Sequence, residues 1–213
     1  MSIVMRRRGF AQALGAAASG FALAGFADGW KLAPGDMVPP PGFGFGSLQF
    51  TLTDAETGKT VTAADFRGRI VMLYFGYTNC PDMCPLTLNN AVRVFHRLGP
   101  KAADIRFLFV TVDPGRDTLS VLRSYLSKFS HTNLVGLRGT GAELASVAAR
   151  MGARYSVHPS SNPEKYAVTH TALTYVFNRE GAPAYSITGL ERSDIDLAGI
   201  ARDLAHLIST NQV

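Results

Sequence analysis

Two long apolar runs constrain the fold of this chain more than any other feature. Residues 69–77 (RIVMLYFGY) and residues 105–112 (IRFLFVTV) lack the alternation of polar and apolar side chains that marks a half-exposed strand. Near-continuous apolar strands of this kind are buried on both faces, which requires helices on both sides of the sheet. Residues 85–98, between the two runs, begin with a proline and repeat apolar residues at helical spacing. We therefore predict an α/β fold with the first run at the centre of the sheet.

The remaining elements extend this sheet and cover it. Alternating residues 47–53 and residues 59–62, on either side of a turn, predict an N-terminal β-hairpin. Strands 171–177 and 184–188, joined by a turn at Glu180-Gly181, predict a second hairpin. Periodicity predicts one more strand, at 134–137, and three more helices, at 117–129, 142–151 and 193–209. A mixed central sheet flanked by helices, with elements in this order and an N-terminal β-hairpin, is the thioredoxin-like fold.

The charge of the chain argues against a nucleic-acid partner. The formal net charge is +5, but Arg6, Arg7 and Arg8 stand before the first acidic residue, Asp28. The rest of the chain has 18 basic and 16 acidic residues, a balance too even for the basic face that nucleic-acid binding requires. We therefore expect no nucleic-acid partner.

The first residues have the pattern of an export signal. The three arginines precede an Ala/Gly-rich apolar run, and Arg7-Arg8-Gly9-Phe10 resembles the core of a twin-arginine signal. The run is shorter than the roughly 20 residues that span a bilayer. Small residues at 22–24 and 25–27 have cleavage spacing. The pattern favours a cleaved signal over an uncleaved N-terminal anchor.

These patterns divide the chain into four segments. Residues 1–27 are predicted to be the export signal or anchor. Residues 28–46 are rich in proline and glycine, and we expect a linker without regular elements. Residues 47–209 are predicted to be the folded domain, and residues 210–213 a tail.

The two cysteines stand where the central strand runs into its helix. Cys80 and Cys84 lie within residues 76–85 (GYTNCPDMCP). At a helix N-terminus, free backbone N–H groups and the helix dipole favour a thiolate, the form that binds soft metals and attacks disulfides. Three residues separate the cysteines, a spacing wider than that of a Cys-X-X-Cys redox motif, and it permits either a disulfide or a shared metal ion. Both kinds of chemistry remain open at this point.

A metal site would need a third ligand, and imidazole is the most common supplement to two thiolates. His170 is the candidate, because it directly precedes the predicted strand 171–177. In a thioredoxin-like fold a loop at that place lies against the cysteines; the loop usually bears a proline, whereas residues 167–170 (AVTH) have none. We expect the polar segment 156–163 to be a mobile loop. The other histidines, which we expect in loops or on helix surfaces, are His96, His131, His158 and His206.

These motifs together resemble the Sco/SenC family, whose members are copper chaperones for cytochrome c oxidase. Residues 75–85 (FGYTNCPDMCP) are similar to the cysteine motif of the family, and residues 111–118 (TVDPGRDT) to its second signature. Residues 134–139 and the pair His170-Thr171 resemble two further family segments. The resemblance extends over about residues 48–209.

The resemblance implies a copper site formed by Cys80, Cys84 and His170. Two thiolates and an imidazole suit Cu(I) and can also hold Cu(II). Zinc usually takes a fourth ligand, for which the sequence has no obvious candidate. Many relatives have an aspartate directly before the histidine, where this chain has Thr169. A carboxylate that could orient the imidazole is therefore absent at that position.

Four residues near the predicted ligands have expected supporting roles. Met83, between the cysteines, is expected to be an apolar plug rather than a ligand. Asp113 follows a buried strand and is the candidate for a residue that orients a metal ligand without binding the metal itself. Asp117 is expected to cap the next helix, and Arg116 to form an ion pair with Asp82 or Asp117.

Two functions fit the sequence. The first is a metallochaperone that delivers copper to the CuA centre of cytochrome c oxidase; its partners would be the CuA-bearing subunit and another copper chaperone or a thiol reductase. The alternative is an exported thiol-disulfide oxidoreductase with Cys80 and Cys84 as its redox-active pair, the one case in which the chain would be an enzyme. A purely structural disulfide is disfavoured, because closing so short a loop stabilises a fold little. The resemblance implies a periplasmic domain, soluble or anchored to the inner membrane by the N-terminal segment if that segment is uncleaved.

Overall fold

The computed structural model of the chain describes residues 37–38, 45–158, 160–161 and 166–210. The predicted export signal lies outside these residues, as do most of the predicted linker and residues 211–213 of the predicted tail. No helix in the described part of the chain is long and apolar enough to cross a membrane.

The described residues form strands, four α-helices and two short 3-10 helices. The strands are β1 (Met37–Val38), β2 (Thr51–Asp54), β3 (Thr60–Thr62), β4 (Ile70–Gly76), β5 (Ile105–Thr111), β6 (Leu134–Arg138), β7 (Tyr155–His158), β8 (Ala167–His170), β9 (Thr174–Phe177) and β10 (Pro183–Ile187). The helices are α1 (Met83–Leu98), α2 (Leu119–Ser127), α3 (Gly141–Arg150) and α4 (Leu197–Thr210), and the 3-10 helices are Ala63–Phe66 and Gly99–Asp104.

Eight strands form one mixed sheet in the order β1-β10-β9-β4-β5-β6-β2-β3. Strand β5 pairs in parallel with β4 on one side and with β6 on the other, and the remaining neighbours are antiparallel. Every residue of β4 is buried, and β5 is buried at all but one position. The two apolar runs therefore lie at the centre of the sheet, and β2 and β3 form the N-terminal hairpin. These features confirm the predicted thioredoxin-like α/β fold.

The start of α1 lies closer to the cysteines than the sequence predicted. The helix begins at Met83, so that Cys84 belongs to its first turn. Pro85 is also in this turn, where a helix makes no use of the backbone N–H that proline lacks. The N-terminal end of the helix is consequently built into the cysteine motif itself.

Two other helices begin later than predicted, each at a local cap. Helix α2 is capped by Thr118, whose hydroxyl accepts a hydrogen bond from the N–H of Val121 at 3.3 Å. The expectation that Asp117 caps this helix is therefore wrong. Helix α4 begins at Leu197 because a carboxylate oxygen of Asp196 accepts hydrogen bonds from the N–H groups of Ala198 and Gly199.

A second, two-stranded sheet is the main element that the sequence did not predict. Strands β7 and β8 pair antiparallel, with Tyr155 opposite His170 and His158 opposite Ala167. The expected loop 156–163 therefore begins as a strand, and His170 ends β8 rather than preceding one long strand 171–177. Three of the four residues of β7 are exposed, so its sequence carries no burial pattern from which a strand could be predicted.

The ordered domain also begins earlier than predicted. Strand β1 pairs antiparallel with β10, so the expectation of no regular element in residues 28–46 is wrong at Met37–Val38. Phe45 is buried, and its ring makes edge-on contacts with Tyr175 and Phe177 of β9. The core therefore includes residue 45, two positions before the predicted start at residue 47.

Candidate metal centre

The structure brings together the three side chains that the sequence singled out. The sulfur atoms of Cys80 and Cys84 and a ring nitrogen of His170 all lie within 4.8 Å of one another. Among the residues described by the structure, no other group of three or more His, Cys, Asp and Glu side chains is arranged in this way. Two sulfur atoms and one nitrogen are thus placed for a single metal ion.

The cysteine half of the site is built by the end of β4 and the start of α1. Cys80 lies in the connecting loop, and its N–H donates to the carbonyl oxygen of Tyr77 at 3.3 Å. Cys84 is fully buried in the first turn of α1. Its N–H donates to the sulfur of Cys80 at 3.4 Å. The first turn of the helix therefore directs a backbone donor at the Cys80 sulfur. This agrees with the expectation that a helix N-terminus favours a thiolate here.

The histidine half of the site comes from the last residue of β8. The carbonyl oxygen of Thr171 accepts a hydrogen bond from Nδ1 of His170 at 3.1 Å. The other ring nitrogen, Nε2, lies 3.5 Å from the sulfur of Cys84. The rings of Tyr74 and Tyr77 contact the imidazole edge-on, with centroids 5.7 and 5.8 Å away. A backbone carbonyl and two aromatic rings thus orient the imidazole with Nε2 toward the cysteines.

Thr169 does not replace the aspartate that many relatives have before the histidine. Its hydroxyl lies 3.0 Å from Nε2 of His158 on the neighbouring strand β7. His158 is exposed, and neither it nor His96, His131 and His206 belongs to the three-residue group. The carbonyl oxygen of Thr171 accepts the hydrogen bond from the His170 ring in place of a carboxylate. A sequence motif does not reveal a backbone acceptor of this kind.

The two thiols differ strongly in acidity. The pKa of Cys80 is lowered, chiefly by a hydrogen bond from the Cys84 side chain and further by backbone N–H groups of Cys84 and Asp82. The pKa of Cys84 is raised by that same interaction and by burial. The hydroxyl of Tyr74 also donates toward the sulfur of Cys84, at 3.8 Å. In the metal-free pair this interaction therefore favours Cys80 as the thiolate and Cys84 as the thiol.

Asp117 holds the cysteine loop in place, a role that sequence reasoning missed. It is fully buried and accepts hydrogen bonds from the N–H of Thr78 at 3.0 Å and from the hydroxyls of Thr78 and Thr111, both at 2.6 Å. Burial raises the pKa of the carboxyl, and these three donors act in the opposite direction. The available signal was Thr111 at the end of the buried strand β5, because its buried hydroxyl needs a hydrogen-bond partner.

Asp113 lies in a buried cluster beside the site. It accepts hydrogen bonds from Nε of Arg116 at 2.5 Å and from the hydroxyl of Tyr166. Arg116 therefore pairs with Asp113, and its expected pairing with Asp82 or Asp117 is wrong. These bonds of Asp113 do not go to the imidazole, so any support that it gives to His170 passes through its neighbours.

Met83 is not the apolar plug that the sequence predicted. Its side chain begins α1 and is 37% exposed. Leu86, one helical turn further, is 42% exposed. The position between the cysteines therefore faces outward, because the helix begins at Met83 and turns Cys84 inward instead.

Comparisons with known proteins agree with this architecture. The SCO1/SenC family model matches residues 45–207. The mitochondrial SCO2 homolog of Bos taurus is 38% identical over 138 residues, which are 64% of this chain and 51% of that protein. The chain spans about half the length of the first curated relatives that it matches.

Two solved structures cover most of the chain. Bradyrhizobium japonicum ScoI with copper bound is 35% identical, with a TM-score of 0.67, over 76% of this chain and 98% of that one. Yeast Sco1 with copper bound is 28% identical, with a TM-score of 0.69, over 77% of this chain and 88% of that one. Both likenesses therefore extend over most of the other chain.

The difference between the thiols predicts an order of chemical modification. In the reduced, metal-free protein, iodoacetamide should alkylate Cys80 well before Cys84, because Cys80 is partly exposed and ionised whereas Cys84 is buried and protonated. Alkylation of Cys80 should persist well below pH ~8.5, the ordinary thiol pKa. Peptide mass spectrometry over time and pH measures both rates, with the denatured chain as the control in which the rates converge. Faster modification of Cys84 would contradict the assignment.

Proposed function

The chain belongs to the SCO1/SenC family, and from this premise we propose that it is a metallochaperone that delivers copper to the CuA centre of cytochrome c oxidase during assembly. The single observation that carries the proposal is the convergence of Cys80, Cys84 and His170 within 4.8 Å. In this proposal these three residues are the copper ligands. The CuA-bearing subunit is the receiving partner, and another copper chaperone or a thiol reductase acts before it.

The donor set favours copper over zinc. Thiolates are soft ligands that suit Cu(I), and an added imidazole gives a set that can also hold Cu(II). A closed zinc site usually has four protein ligands, and the described residues provide a group of three. The copper-bound structures of B. japonicum ScoI and yeast Sco1 support the same metal.

The arrangement of the site also suits a copper ion that has to be released to a partner. Copper binding must displace the Cys84 proton, so uptake of the ion releases a proton and competes with acid. Cys80 is half-buried whereas Cys84 is buried. An incoming ligand from a partner can therefore approach the ion from the Cys80 side. A site with three ligands leaves room for that fourth ligand during transfer.

The alternative function is thiol-disulfide exchange. The Cys80 thiolate would attack a disulfide of a partner and form a mixed disulfide, releasing one partner thiol. The Cys84 thiol, after losing its proton, would then attack the Cys80 sulfur, releasing the second partner thiol and leaving a Cys80–Cys84 disulfide. The acidic, accessible Cys80 favours this chemistry. It gives no use to His170, which lies 3.5 Å from Cys84, and for this reason we favour copper delivery.

We further propose that the domain acts in the periplasm after export by residues 1–27, either free or held at the inner membrane. The support is the arginine-rich start and the apolar run after it. The bovine relative is by its name mitochondrial, so the compartment needs its own test.

Fusion of a reporter after Val213 tests the proposed location. β-Lactamase, which can fold before export and confers ampicillin resistance only outside the cytoplasm, should confer resistance in the fusion and should lose this effect when Arg7 and Arg8 are both replaced by glutamine. Activity of a β-galactosidase fusion, which requires the cytoplasm, would contradict export.

Substitution of the three proposed ligands should separate the two oxidation states of copper. Cys80→Ser and Cys84→Ser should each lower copper affinity by at least about 100-fold, since even a supporting partner of a ligand contributes about 10–100-fold. His170→Ala should retain weaker Cu(I) binding to the two thiolates and lose Cu(II) binding. Competition titrations with Cu(I) and Cu(II) chelators measure these affinities.

Two conservative controls accompany this series. His158→Ala removes an exposed histidine from the same two-stranded sheet, and Met83→Leu removes the exposed thioether between the cysteines. Both variants, like the wild type, should bind one copper ion per chain. If His170→Ala bound Cu(I) and Cu(II) as tightly as the wild type, the three-ligand site would be wrong.

A transfer assay distinguishes copper delivery from disulfide reduction. Reduced, copper-loaded protein should pass its ion to a metal-free CuA domain, whereas His170→Ala, with both thiols intact, should not. The same variant should keep most of the ability to reduce a disulfide in that domain. In a deletion strain, full rescue of oxidase activity by His170→Ala, together with no response to added copper, would favour the oxidoreductase instead.

A further inference from the structure

The candidate site is assembled from two parts that no sheet hydrogen bonds connect. The cysteines follow β4 of the main sheet, whereas His170 ends β8 of the separate two-stranded sheet. The pairing of β7 with β8 holds His170 to its own small sheet only. Strand β9 of the main sheet begins four positions after His170, which brings the imidazole to this end of the sheet but does not fix its distance from the sulfur atoms. Other contacts have to set that distance.

The loop between β5 and α2, residues 112–118, contacts the cysteine part through Asp117. Its carboxylate accepts hydrogen bonds from both the N–H and the hydroxyl of Thr78, two residues before Cys80. Because Asp117 is fully buried, releasing Thr78 would remove the hydrogen bond to its Oδ1 and leave only the Thr111 hydroxyl on Oδ2. This end of the loop is therefore bound firmly to the cysteine loop.

The same loop contacts the histidine part through Arg116. Its Nη1 donates to the carbonyl oxygen of Tyr166 at 2.9 Å, and its guanidinium carbon lies 3.6 Å from the centroid of the Tyr166 ring. Asp113 completes the contact, since its two carboxylate oxygens accept from Arg116 and from the Tyr166 hydroxyl. Tyr166 immediately precedes β8, the strand that ends at His170.

The loop 112–118 is itself held by hydrogen bonds, so it can fix the position of the histidine part relative to the cysteine part. Arg138 of β6 donates to the carbonyl oxygen of Asp117 at 3.0 Å and to that of Pro114 at 2.9 Å. Within the loop, the carbonyl oxygen of Asp113 accepts from the N–H groups of Arg116 and Asp117. The two anchoring side chains are adjacent in sequence, so neither can move far without the other.

We infer that Arg116, Asp113 and Tyr166 form a clasp that positions His170 against the cysteine pair. The clasp gives a role to the segment 111–118, which the sequence singled out and which supplies no metal ligand. The inference rests on the proposed ligand role of His170. Arg116 also lies 5.9 Å from the ring of Tyr77, which itself contacts the imidazole, so a second contact acts in the same direction.

A positioning role has a consequence that general destabilisation does not have. Two thiolates hold Cu(I) without the imidazole, whereas Cu(II) needs the nitrogen ligand. Loosening the clasp should therefore lower the affinity for Cu(II) much more than the affinity for Cu(I), because Cu(I) keeps both thiolates. A variant that merely unfolds the domain would lower both affinities together.

Substitutions at both ends of the clasp test the inference. Arg116→Gln removes the shared donor, and Tyr166→Leu removes the ring and hydroxyl while leaving the backbone carbonyl. Each should lower Cu(II) affinity by about 10–100-fold, the effect of losing a partner that orients a ligand, and should lower Cu(I) affinity by a smaller factor. Arg116→Lys keeps the charge without the planar fork and should give an intermediate loss of Cu(II) affinity. Arg123→Gln, which removes an exposed ion pair with Glu56, is the matched control and should leave both affinities unchanged.

Hydrogen exchange of the metal-free variants gives a readout that is independent of copper. Amides of β7 and β8 should exchange faster in Arg116→Gln and Tyr166→Leu, while those of α1 and β4 should keep wild-type protection. If the wild-type protein failed to bind copper, the proposed function would fall and this measurement alone would decide the clasp. Unchanged exchange of β7 and β8, or parallel losses of Cu(I) and Cu(II) affinity in the folded variants, would overturn the inference.

Discussion

Strand β4 is the element on which the rest of the structure depends. All seven of its residues are buried, and its pairing fixes the position of both neighbours. Gly76, the last residue of β4, is paired with Thr111, the last residue of β5, so the loop to α2 leaves the sheet beside the cysteine loop. On the other side Tyr74 is paired with Thr174, the first residue of β9, which follows His170 by four positions. One buried strand thus brings all three chain segments of the site to the same end of the sheet.

Hydrogen bonds stabilise the negative charge of the Cys80 thiolate at this end of the sheet. The Cys80 sulfur is supported by the first turn of α1, and Cys84 keeps its proton while metal-free. The imidazole is oriented by the Thr171 carbonyl, not by a carboxylate. A dithiolate–imidazole site of this kind is preorganised for a metal ion, yet its last proton has to leave when the ion enters. Proton release therefore links metal uptake to the acidity of a single buried thiol.

The sequence was informative wherever burial imposes a recognisable pattern of apolar residues, continuous or periodic. The two apolar runs became β4 and β5, and the position of Cys80, Cys84 and His170 followed from the order of elements in the fold. The prediction failed where an element carries no such pattern. Strand β7 is mostly exposed, so its pairing with β8 depends on contacts that alternation does not encode.

The sequence also did not predict hydrogen bonds between side chains that are far apart in the chain. Asp117 reaches Thr78 across 39 positions, and Arg116 reaches Tyr166 across 50. Asp117 was expected to cap the next helix, and its carboxylate instead accepts from Thr78. Arg116 pairs with Asp113 three positions away and reaches Tyr166 as well. Local pattern can therefore indicate that the segment 111–118 is special, whereas only the packed structure shows that it touches both parts of the site.

The central claim is that Cys80, Cys84 and His170 bind one copper ion together. X-ray absorption spectroscopy at the copper edge, on protein loaded with one equivalent of Cu(I), measures the ligand set directly. The account predicts two sulfur scatterers and one imidazole nitrogen in the wild-type protein, with the imidazole signal lost in His170→Ala. A ligand shell of sulfur alone would contradict it, because His170 would then not be a ligand. A shell with more than two sulfur atoms would also contradict it, because the extra sulfur would have to come from a methionine or a second chain.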